Sequence, residues 1–476
     1  MSAIITEKFR QHNATQFTES FSESSGNTYY LFLGKATAFS STTTGGTDSS
    51  PPTPGDSPQE EFRAWDSMLG AKIITSSDIK YAVPRRNWAN GTTYDMYRHN
   101  YSSSVTSTSG ASNLYDSTFF FLTSDYKLYK VLDNNAGTAY SGSEPTSTSS
   151  SPFELGGYVL KYMLTISTSD FAKYGTTDFI PVASDSTVAA AAVDGAIESV
   201  AVTAGSGYTD GTYYTAVYGD GATAGTSSGA ILRITISSGS IVSFGLTAGT
   251  DTTIHAAGSG YTYGYINLGS AYIFSDASLS SATSVGAGSG GAIEVIISPD
   301  DGHGANVVTE LGAHYVMAAV TLTQAEGDDF TTGNDFRSVG IVVDPTTVGT
   351  STVASSTTAR QTYVVKLDTS SGTFQADEVI TQASTGAVGK VVEWDSSLSL
   401  LYYQQESFKG FGTNATTGNY VAFSGANQIT GATSAATGTT DGDTETVTLA
   451  NSNTLTLTSG YATPELQEYS GDIIYL

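Results

Sequence analysis

Cysteine is absent from this sequence of 476 residues. Its absence excludes disulfide bonds, thiolate metal sites and cysteine-ligated iron–sulfur clusters. Charge is also scarce, because 13% of the residues are charged, about half the usual share. Lysine and arginine number 19 against 45 acidic residues, which gives a formal net charge of −26. Neither nucleic acid nor an anionic membrane surface is therefore expected as a partner, since both are bound through clustered cations.

Long apolar runs are missing as well. No run approaches the roughly 20 residues that a membrane-spanning helix needs. The first eight residues, Met1-Ser-Ala-Ile-Ile-Thr-Glu-Lys8, lack the basic, apolar and small-residue zones of a signal peptide. We therefore expect synthesis in the cytoplasm and no membrane partner.

Glycine, tyrosine and phenylalanine are plentiful, with 51, 29 and 20 residues, and serine and threonine occur throughout. β-Branched and aromatic residues favour strands, whereas Gly, Ser, Asn and Asp favour turns. Long helical patterns are scarce. The composition predicts a mainly β protein with many short strands.

Three segments are predicted to be strands. The run Tyr29–Leu33 is typical of a buried strand, and residues 157–166 form a second such run. Residues 119–132 predict a β-hairpin with its turn at 123–125. Because side chains alternate along a strand, Lys130 and Tyr129 are expected on opposite faces of its second arm.

One segment predicts a helix. Ser57-Pro58-Gln59-Glu60 fits a capping box with proline at the first helical position. Phe62, Trp65 and Leu69 then recur at three- and four-residue spacing, which places them on one face. Gly70 is predicted to end the helix.

The chain contains a glycine-rich repeat between about 190 and 298. Ala204-Gly-Ser-Gly-Tyr-Thr209 recurs as Ala257-Gly-Ser-Gly-Tyr-Thr262, and Gly229–Ser237 resembles Gly291–Ser298. Each unit is a short alternating strand, a glycine turn and a tyrosine. The pattern predicts a small repeated β module.

A second repeat lies between about 360 and 460. Phe374, Ile380-Thr381 and Gly389 recur as Phe423, Ile429-Thr430 and Gly438 at a constant offset of 49 residues (423 − 374). A register that holds across both copies indicates a tandem duplication of short strands with glycine turns.

Metal and phosphate sites are weakly indicated. His303 and His314 are a possible ligand pair, but His303 in Asp-Gly-His-Gly is typical of a turn. The segment Gly219–Gly225 is glycine-rich but lacks the following helix of a phosphate loop, so a β-turn is the simpler interpretation. Residues 441–445 carry three carboxylates but lack the calcium-loop pattern, which favours a surface turn.

Catalytic signatures are not found. No Gly-x-Ser-x-Gly elbow follows a convincing strand and opens a helix. Paired carboxylates for glycoside hydrolysis stay open, because their spacing is spatial. We predict no enzymatic activity, no catalytic, metal or cofactor-binding residues and no cofactor.

The segment Tyr81-Ala-Val-Pro-Arg-Arg-Asn-Trp-Ala-Asn-Gly91 combines a rigid bend with unusual side chains. Pro84 fixes φ and removes a donor, and Asn90-Gly91 favours a turn. Arg85, Arg86 and Trp88 are thus held at defined places. Arginine and tryptophan are enriched at the centres of interfaces.

Two interpretations of these residues stay open. They form either an internal salt-bridge network on a loop or interface anchors to a neighbouring subunit, because a buried arginine needs a carboxylate or backbone partner. Phe336 and Arg337 belong to the same group of candidate anchors.

Three motifs carry a resemblance to a known family. They are Trp65–Lys72 with Ala82–Trp88, then Gly333–Pro345, then Ser470–Tyr475. In this order they resemble the dimeric baseplate wedge subunit of T-even-type contractile-tailed phages, in an enlarged form like that of cyanobacterial myophages. The motifs cover about a third of the chain.

The resemblance implies a structural protein of a tail baseplate wedge in the virion, synthesised in the host cytoplasm. It further implies a homodimer with a two-domain β-sandwich body and helical insertions. Its partners are expected to be other wedge subunits and fibre-anchoring baseplate proteins.

The predicted fold is a mainly β, multi-domain β-sandwich body with short helical insertions and two inserted glycine-rich β modules. The body comprises residues 1–189, 299–359 and 460–476, and the modules are 190–298 and 360–459. The family pattern continues past the end of this chain, so we expect a truncation or the loss of a last strand.

A function of another class stays open. The tyrosines of the glycine-rich module, Tyr208 and Tyr261, are suited to stack on sugar rings, which would make the chain a glycan- or receptor-binding tail protein. Their identical repeat positions favour the structural interpretation, in which they cap small cores. A polysaccharide hydrolase is a third alternative.

Overall fold

The structure is a computed structural model, and it describes residues 6–23, 26–39, 45–55, 57–220, 229–242, 253–321, 335–406, 420–450 and 452–475. The chain divides into two compact units. The first unit comprises Met1–Gln16 and Lys80–Met317, and the second comprises Phe17–Ile79 and Ala318–Leu476.

Helices are few and short in the described residues. The α-helices are α1 (Glu7–Ser20), α2 (Pro58–Ser67), α3 (Thr168–Tyr174), α4 (Ser186–Ala190) and α5 (Val307–Glu310). Short 3-10 turns lie at Ser76–Asp78, Leu114–Asp116 and Ser270–Tyr272. In the described part of the chain, no helix combines the length and the apolar character needed to cross a membrane.

Strands dominate, which confirms the prediction of a mainly β fold. The strands up to the end of the glycine-rich repeat are β1 (Tyr29–Gly34), β2 (Met68–Ile74), β3 (Ile79–Pro84), β4 (Phe120–Leu122), β5 (Lys127–Asp133), β6 (Phe153–Leu155), β7 (Tyr158–Thr165), β8 (Phe179–Val182), β9 (Ile197–Thr203), β10 (Gly211–Ala216), β11 (Tyr218–Gly219), β12 (Ile231–Ser237), β13 (Ser240–Val242), β14 (Ile254–Ala256), β15 (Gly264–Tyr265) and β16 (Ala292–Ile297). The remaining strands are β17 (Tyr315–Ala318), β18 (Ser338–Val343), β19 (Thr358–Arg360), β20 (Tyr363–Ser371), β21 (Val379–Gln382), β22 (Ala387–Asp395), β23 (Leu400–Gln404), β24 (Gln428–Gly431), β25 (Thr437–Thr440), β26 (Glu445–Thr448), β27 (Thr454–Leu457), β28 (Tyr461–Ala462) and β29 (Asp472–Tyr475).

The first unit contains the four-stranded sheet β4-β5-β7-β6 and the three-stranded sheet β17-β3-β8. The predicted hairpin is confirmed, because β4 pairs with β5 in antiparallel register. Alternation along β5 is also confirmed. Leu128 packs into one hydrophobic cluster with Phe120, whereas Tyr129 packs into another with Phe121 on the opposite face. The predicted strand at 157–166 is present as β7.

The glycine-rich repeat forms small antiparallel sheets, with β9 paired to β16 and β12 paired to β10, β13 and β14. Corresponding glycines adopt the same left-handed backbone, at φ 61° for Gly205 and 62° for Gly258. Each of the two repeat tyrosines accepts a hydrogen bond from the other copy of the repeat. The Tyr208 hydroxyl accepts from Gly291 N, and the Tyr261 hydroxyl accepts from Ala230 N, each at 3.0 Å.

This repeat packs directly on the sheet β4-β5-β7-β6 and its surrounding loops. Ile296 belongs to the same hydrophobic cluster as Leu128. Ser199 Oγ donates to Leu132 O at 2.6 Å, and Ile297 N donates to His99 Nδ1 at 3.1 Å. The repeat is thus held at several points within the first unit.

The second unit contains the antiparallel sheet β19-β2-β1-β18-β29. Strand β1 confirms the buried strand predicted at Tyr29–Leu33. Helix α2 covers part of this sheet, because Trp65 lies in the same hydrophobic cluster as Tyr30 and Phe32. Ser57 caps α2 by accepting from Glu60 N at 3.3 Å.

The predicted end of α2 is wrong. The helix ends at Ser67, and Met68 is already extended at φ −66° and ψ 134°. Gly70 lies inside β2, where it pairs with Leu33. Pairing of β2 with strands on both sides overrides the helical spacing of the sequence, because tertiary context outweighs intrinsic propensity.

A small closed barrel forms the other part of the second unit. Its strand order is β23-β22-β21-β24-β25-β20, and pairing of β20 with β23 closes it. The two copies of the 49-residue repeat contribute the hairpins β21–β22 and β24–β25. Thr381 pairs with Thr430, its own counterpart in the other copy (381 + 49 = 430), so a local two-fold axis passes between these residues.

Candidate interface anchors

The segment that carries Arg85, Arg86 and Trp88 runs beside β4 in the first unit. Asn87 forms a parallel bridge with Leu122. Trp88 N donates to Leu122 O, and Leu122 N donates to Arg86 O, both at 2.7 Å. Pro84 ends β3 just before this segment. The backbone therefore holds the two arginines and the tryptophan in fixed positions.

The two arginines make different internal contacts. Arg85 donates to Asn87 Oδ1 at 2.9 Å and to Thr176 O at 2.8 Å. Arg86 donates to Tyr115 O at 3.2 Å, and its guanidinium lies over the Phe120 ring at 4.4 Å, within the range of a cation–π interaction. Burial lowers the pKa of Arg86, although Asp95 and Asp116 oppose this shift.

Trp88 packs against Tyr140 in an edge-to-face geometry, with ring centroids 5.8 Å apart. It lies beside the hydrophobic cluster of Phe121 and Tyr129. Two buried nitrogens of this segment, Arg86 Nη1 and Trp88 Nε1, have no hydrogen-bond partner among the described residues. A buried donor without a partner is costly.

Arg337 is the centre of a polar network in the second unit. Its Nη1 donates to Ala36 O at 2.8 Å, and it forms ion pairs with Asp48 at 2.9 Å and Asp335 at 2.8 Å. Burial lowers its pKa, but the bonds to the two carboxylates outweigh this effect, and the pKa is raised. Phe336, its neighbour, is 47% exposed.

The structure therefore brings Arg85, Arg86 and Trp88 onto one segment and places Phe336 beside Arg337 in the other unit. Arg337 pairs with two carboxylates within the fold, whereas Arg85 and Arg86 donate to backbone carbonyls and to Asn87 and form no ion pair in the described part of the chain. A role as anchors to a neighbouring subunit remains a prediction.

Sequence reasoning missed a fully buried ionic cluster in the first unit. Lys130 Nζ lies 2.7 Å from Glu310 Oε2 and 2.8 Å from His303 Nδ1. It also lies 3.9 Å from the centre of the Tyr97 ring. Glu310 accepts from Gly304 N at 2.6 Å. The side chains of Lys130, His303 and Glu310 are at most 2% exposed, so they contact one another rather than solvent.

The two candidate metal-ligating histidines have separate surroundings. His303 lies between two left-handed glycines, as a turn residue would, but its ring is buried beside Lys130. His314 lies 3.4 Å from Glu7 and 3.0 Å from Gly312 O. Among the described residues, no group of three or more acidic or histidine side chains is arranged to hold a metal ion.

The remaining candidate loops differ in how far the structure describes them. Lys366 bonds to Glu445 and lies 3.6 Å from Asp441, so two of the three carboxylates at 441–445 are paired with a lysine. The glycine loop Gly219–Gly225 lies mostly outside the described residues.

The tyrosines of the glycine-rich repeat fall into two groups. Tyr208 and Tyr261 are buried in one hydrophobic cluster, as the structural interpretation predicts, and their ring faces are closed to a ligand. Tyr263 and Tyr265 are 57% and 55% exposed. Tyr218 lies 6.0 Å from the ring of Tyr265.

A comparison with protein families bears on the first part of the chain. Residues 3–141 match the family model Phage-Gp8, described as Bacteriophage T4, Gp8. No curated protein matches the chain. The matched range is less than a third of the 476 residues, and it contains Trp65–Lys72 and Ala82–Trp88. It supports a structural component of a T4-type phage baseplate.

Proposed function

We propose that this chain is a structural subunit of a phage tail baseplate wedge. In this proposal it forms a homodimer and joins other wedge subunits to fibre-anchoring proteins. The observation that carries the proposal is the match of residues 3–141 to the Phage-Gp8 family. The enlarged form, with modules at 190–298 and 360–459, belongs to the same proposal.

The internal use of reactive groups supports a building block over an enzyme. Lys130, His303 and Glu310 are buried against one another, and Arg337 is taken up by two carboxylates and a carbonyl. The packing of the glycine-rich repeat on the sheet of its own unit supports a rigid part of that unit. In a contracting tail, interfaces of such rigid parts would repack between discrete arrangements.

Two measurements test this proposal. Cryo-electron microscopy of intact tails should place the chain in the baseplate wedge, and sedimentation of the purified chain should give twice the mass of the 49.4 kDa monomer. A stable monomer at micromolar concentration that is also absent from purified tails would contradict the proposal.

Phe336 offers a test of the anchor residues. Phe336→Ala should weaken assembly with wedge proteins if this exposed ring is an interface anchor, because aromatic anchors carry much of an interface's binding energy. Val353→Ala, at another exposed apolar side chain of the second unit, is the matched control. Equal assembly of both variants would remove Phe336 from the interface.

A second candidate function is favoured by one observation, the exposed tyrosines of the first unit. Tyr263 and Tyr265 are more than half exposed, and Tyr272 stands edge-on to Tyr218 at 5.4 Å. The negative face of an aromatic ring attracts the C–H groups of a sugar. In this proposal the glycan contacts these residues and not the buried Tyr208 and Tyr261.

A glycan array with the full chain tests this second candidate. Specific binding that is lost in Tyr263→Ala/Tyr265→Ala but kept in Tyr315→Ala, an exposed tyrosine elsewhere in the unit, would support it. Binding of no glycan, or equal binding by all variants, would exclude it.

A further inference from the structure

A cleft of about 340 Å³ lies in the first unit, between the loop after Met96, the end of β5 and the strands β9 and β16. Met96, Ala201 and Ala292 supply apolar surface to its wall, whereas Val200 and Val202 pack into the hydrophobic cluster on the other face of β9. The charged side chains that line the cleft are Arg98, Asp133 and Glu294. Apolar walls around a few charged groups are typical of a site that selects its occupant.

The charges of the cleft do not balance. Arg98 forms an ion pair with Glu294, and Asn100 also donates to Glu294. Asp133 accepts from Asn135 N at 2.7 Å, but it has no cationic partner within the described part of the chain. Burial, and then the nearby Glu154, raise the pKa of Asp133. The lining thus carries one carboxylate without a counter-charge.

We propose that this cleft receives one lysine side chain of a neighbouring protein, whose ammonium group pairs with Asp133. The apolar side chains of Met96, Ala201 and Ala292 would cover the aliphatic stem, as such stems commonly pack on apolar surface. An ammonium ion would also remove the cost that burial imposes on the Asp133 carboxylate.

The geometry favours lysine over other cations. One Asp133 oxygen already accepts from Asn135 N, and a lysine ammonium needs only one further acceptor point, whereas arginine pairs best when it reaches both oxygens. A free diamine would bring a second charge, and Glu294 is occupied by Arg98 and Asn100. Assigning the lysine to a neighbouring protein rests on the proposed function, but the charge preference of the cleft does not.

The test uses the full chain and two small probes at pH 7 and low salt. Nα-acetyl-lysine N-methylamide is compared with its uncharged norleucine analogue by NMR titration. We expect the lysine probe to bind about tenfold more tightly, which corresponds to one hydrogen bond between charged groups. Equal binding of the two probes would overturn the proposal, and tighter binding of 1,4-diaminobutane would contradict a protein side chain as the source.

Three variants test whether the preference for the lysine probe arises in this cleft. Asp133→Asn keeps an acceptor for Asn135 N and should abolish the preference for the lysine probe. Ala292→Phe, at an exposed position that lines the cleft, should block both probes without changing charge. Glu154→Gln removes one acidic charge outside the cleft and should keep the preference.

If the preference for the lysine probe survives in Asp133→Asn, Asp133 is not its cause. If the preference is lost in Glu154→Gln, it reflects the general negative charge of the protein. Either result would contradict the proposed site. Probe binding is measured with this chain alone, without any other baseplate protein. Its failure therefore leaves the proposed baseplate role untouched, and failure of that role leaves the charge preference of the cleft measurable.

Discussion

At the scale of single residues, Lys130 has the most demanding environment. Its side chain is 0% exposed, so water cannot stabilise its charge. Stabilisation comes instead from the Glu310 carboxylate, from His303 and from the ring of Tyr97. Removing one partner of such a pair leaves a buried charge without compensation.

Replacing Lys130 tests this dependence. Lys130→Met should lower the free energy of unfolding by about 3–5 kcal/mol, because Glu310 is left ionised and buried. The double variant Lys130→Met/Glu310→Gln should recover much of the loss, since Gln can still accept from Gly304 N. Denaturant unfolding measures both values.

A lysine on the same strand is the control for that experiment. Lys127 pairs with Asp125, which is 67% exposed, at 3.4 Å. Exposed pairs contribute about 0–1 kcal/mol, so Lys127→Met should change stability little. A similar loss in both lysine variants would show that burial of the charge is not the cause.

His303 should make stability depend on pH. Burial, and then the Lys130 ammonium, lower its pKa to about 3, whereas the pKa of a histidine in an unfolded chain is about 6.5. The contribution of His303 is therefore complete above pH of about 6.5 and is lost as the pH falls toward 3. His303→Gln should remove a slope of up to about 1.4 kcal/mol per pH unit between pH 6 and 4. Parallel curves for both proteins would contradict this assignment.

The sequence does not predict which residues contact the Lys130 side chain. Glu310 and His303 lie 180 and 173 residues away along the chain. The residues around His303 predict a turn, and a turn is present, but the sequence does not show that the ring points into the interior. Predicting contacts at that separation requires the sheet order, which the local pattern does not contain.

At the scale of elements, the two repeat tyrosines bind the glycine-rich copies to each other. Tyr208 belongs to the first copy and receives a hydrogen bond from Gly291 of the second, while Tyr261 of the second receives one from Ala230 of the first. Each tyrosine thereby satisfies a backbone donor at the start of the opposite strand. Neither copy completes these bonds alone.

A loss is expected at both positions, and a larger one at Tyr261, whose hydroxyl also donates to Val217 O at 3.2 Å. Tyr208→Phe and Tyr261→Phe should each lower stability by about 1–3 kcal/mol, because a backbone N–H loses its acceptor. Tyr265→Phe, at an exposed ring, should change stability by less than about 0.5 kcal/mol. Thermal unfolding of the three variants measures this, and a loss at only one repeat position would contradict the exchange of partners.

Elements with a strong local pattern could be predicted from the sequence, and their boundaries less well. The hairpin β4–β5 could be predicted because its turn residues and the alternation of its side chains both indicate a hairpin. Helix α2 begins at its cap, but its end depends on pairing of β2 with β1 and β19, which no local spacing encodes. The sequence does not predict the hydrogen-bond partners of Arg85 and Arg86, because the carbonyl groups of Thr176 and Tyr115 lie far from them along the chain.

At the scale of the whole molecule, net charge is the dominant feature. With −26 charges, the folded chain repels itself, and this repulsion disfavours the compact state. The ion pairs among the described residues engage only a minority of the 45 acidic residues. Added salt shortens the screening length from about 30 Å at 0.01 M to about 10 Å at 0.1 M.

Stability should therefore rise with salt. Between about 0.01 and 0.1 M NaCl we expect the unfolding temperature to increase by about 2–4 °C, the shift that about 1 kcal/mol produces in a domain of ordinary size. KCl should give the same rise, because the effect is one of ionic strength. A fall in the unfolding temperature would show that attractive pairs outweigh the repulsion.

The axis between Thr381 and Thr430 records how the barrel arose. Two equal hairpins related in this way have the symmetry of a homodimer, although they belong to one chain. A peptide of one copy should therefore retain some tendency to associate with itself, because the pairing across the axis joins equivalent positions of the two copies.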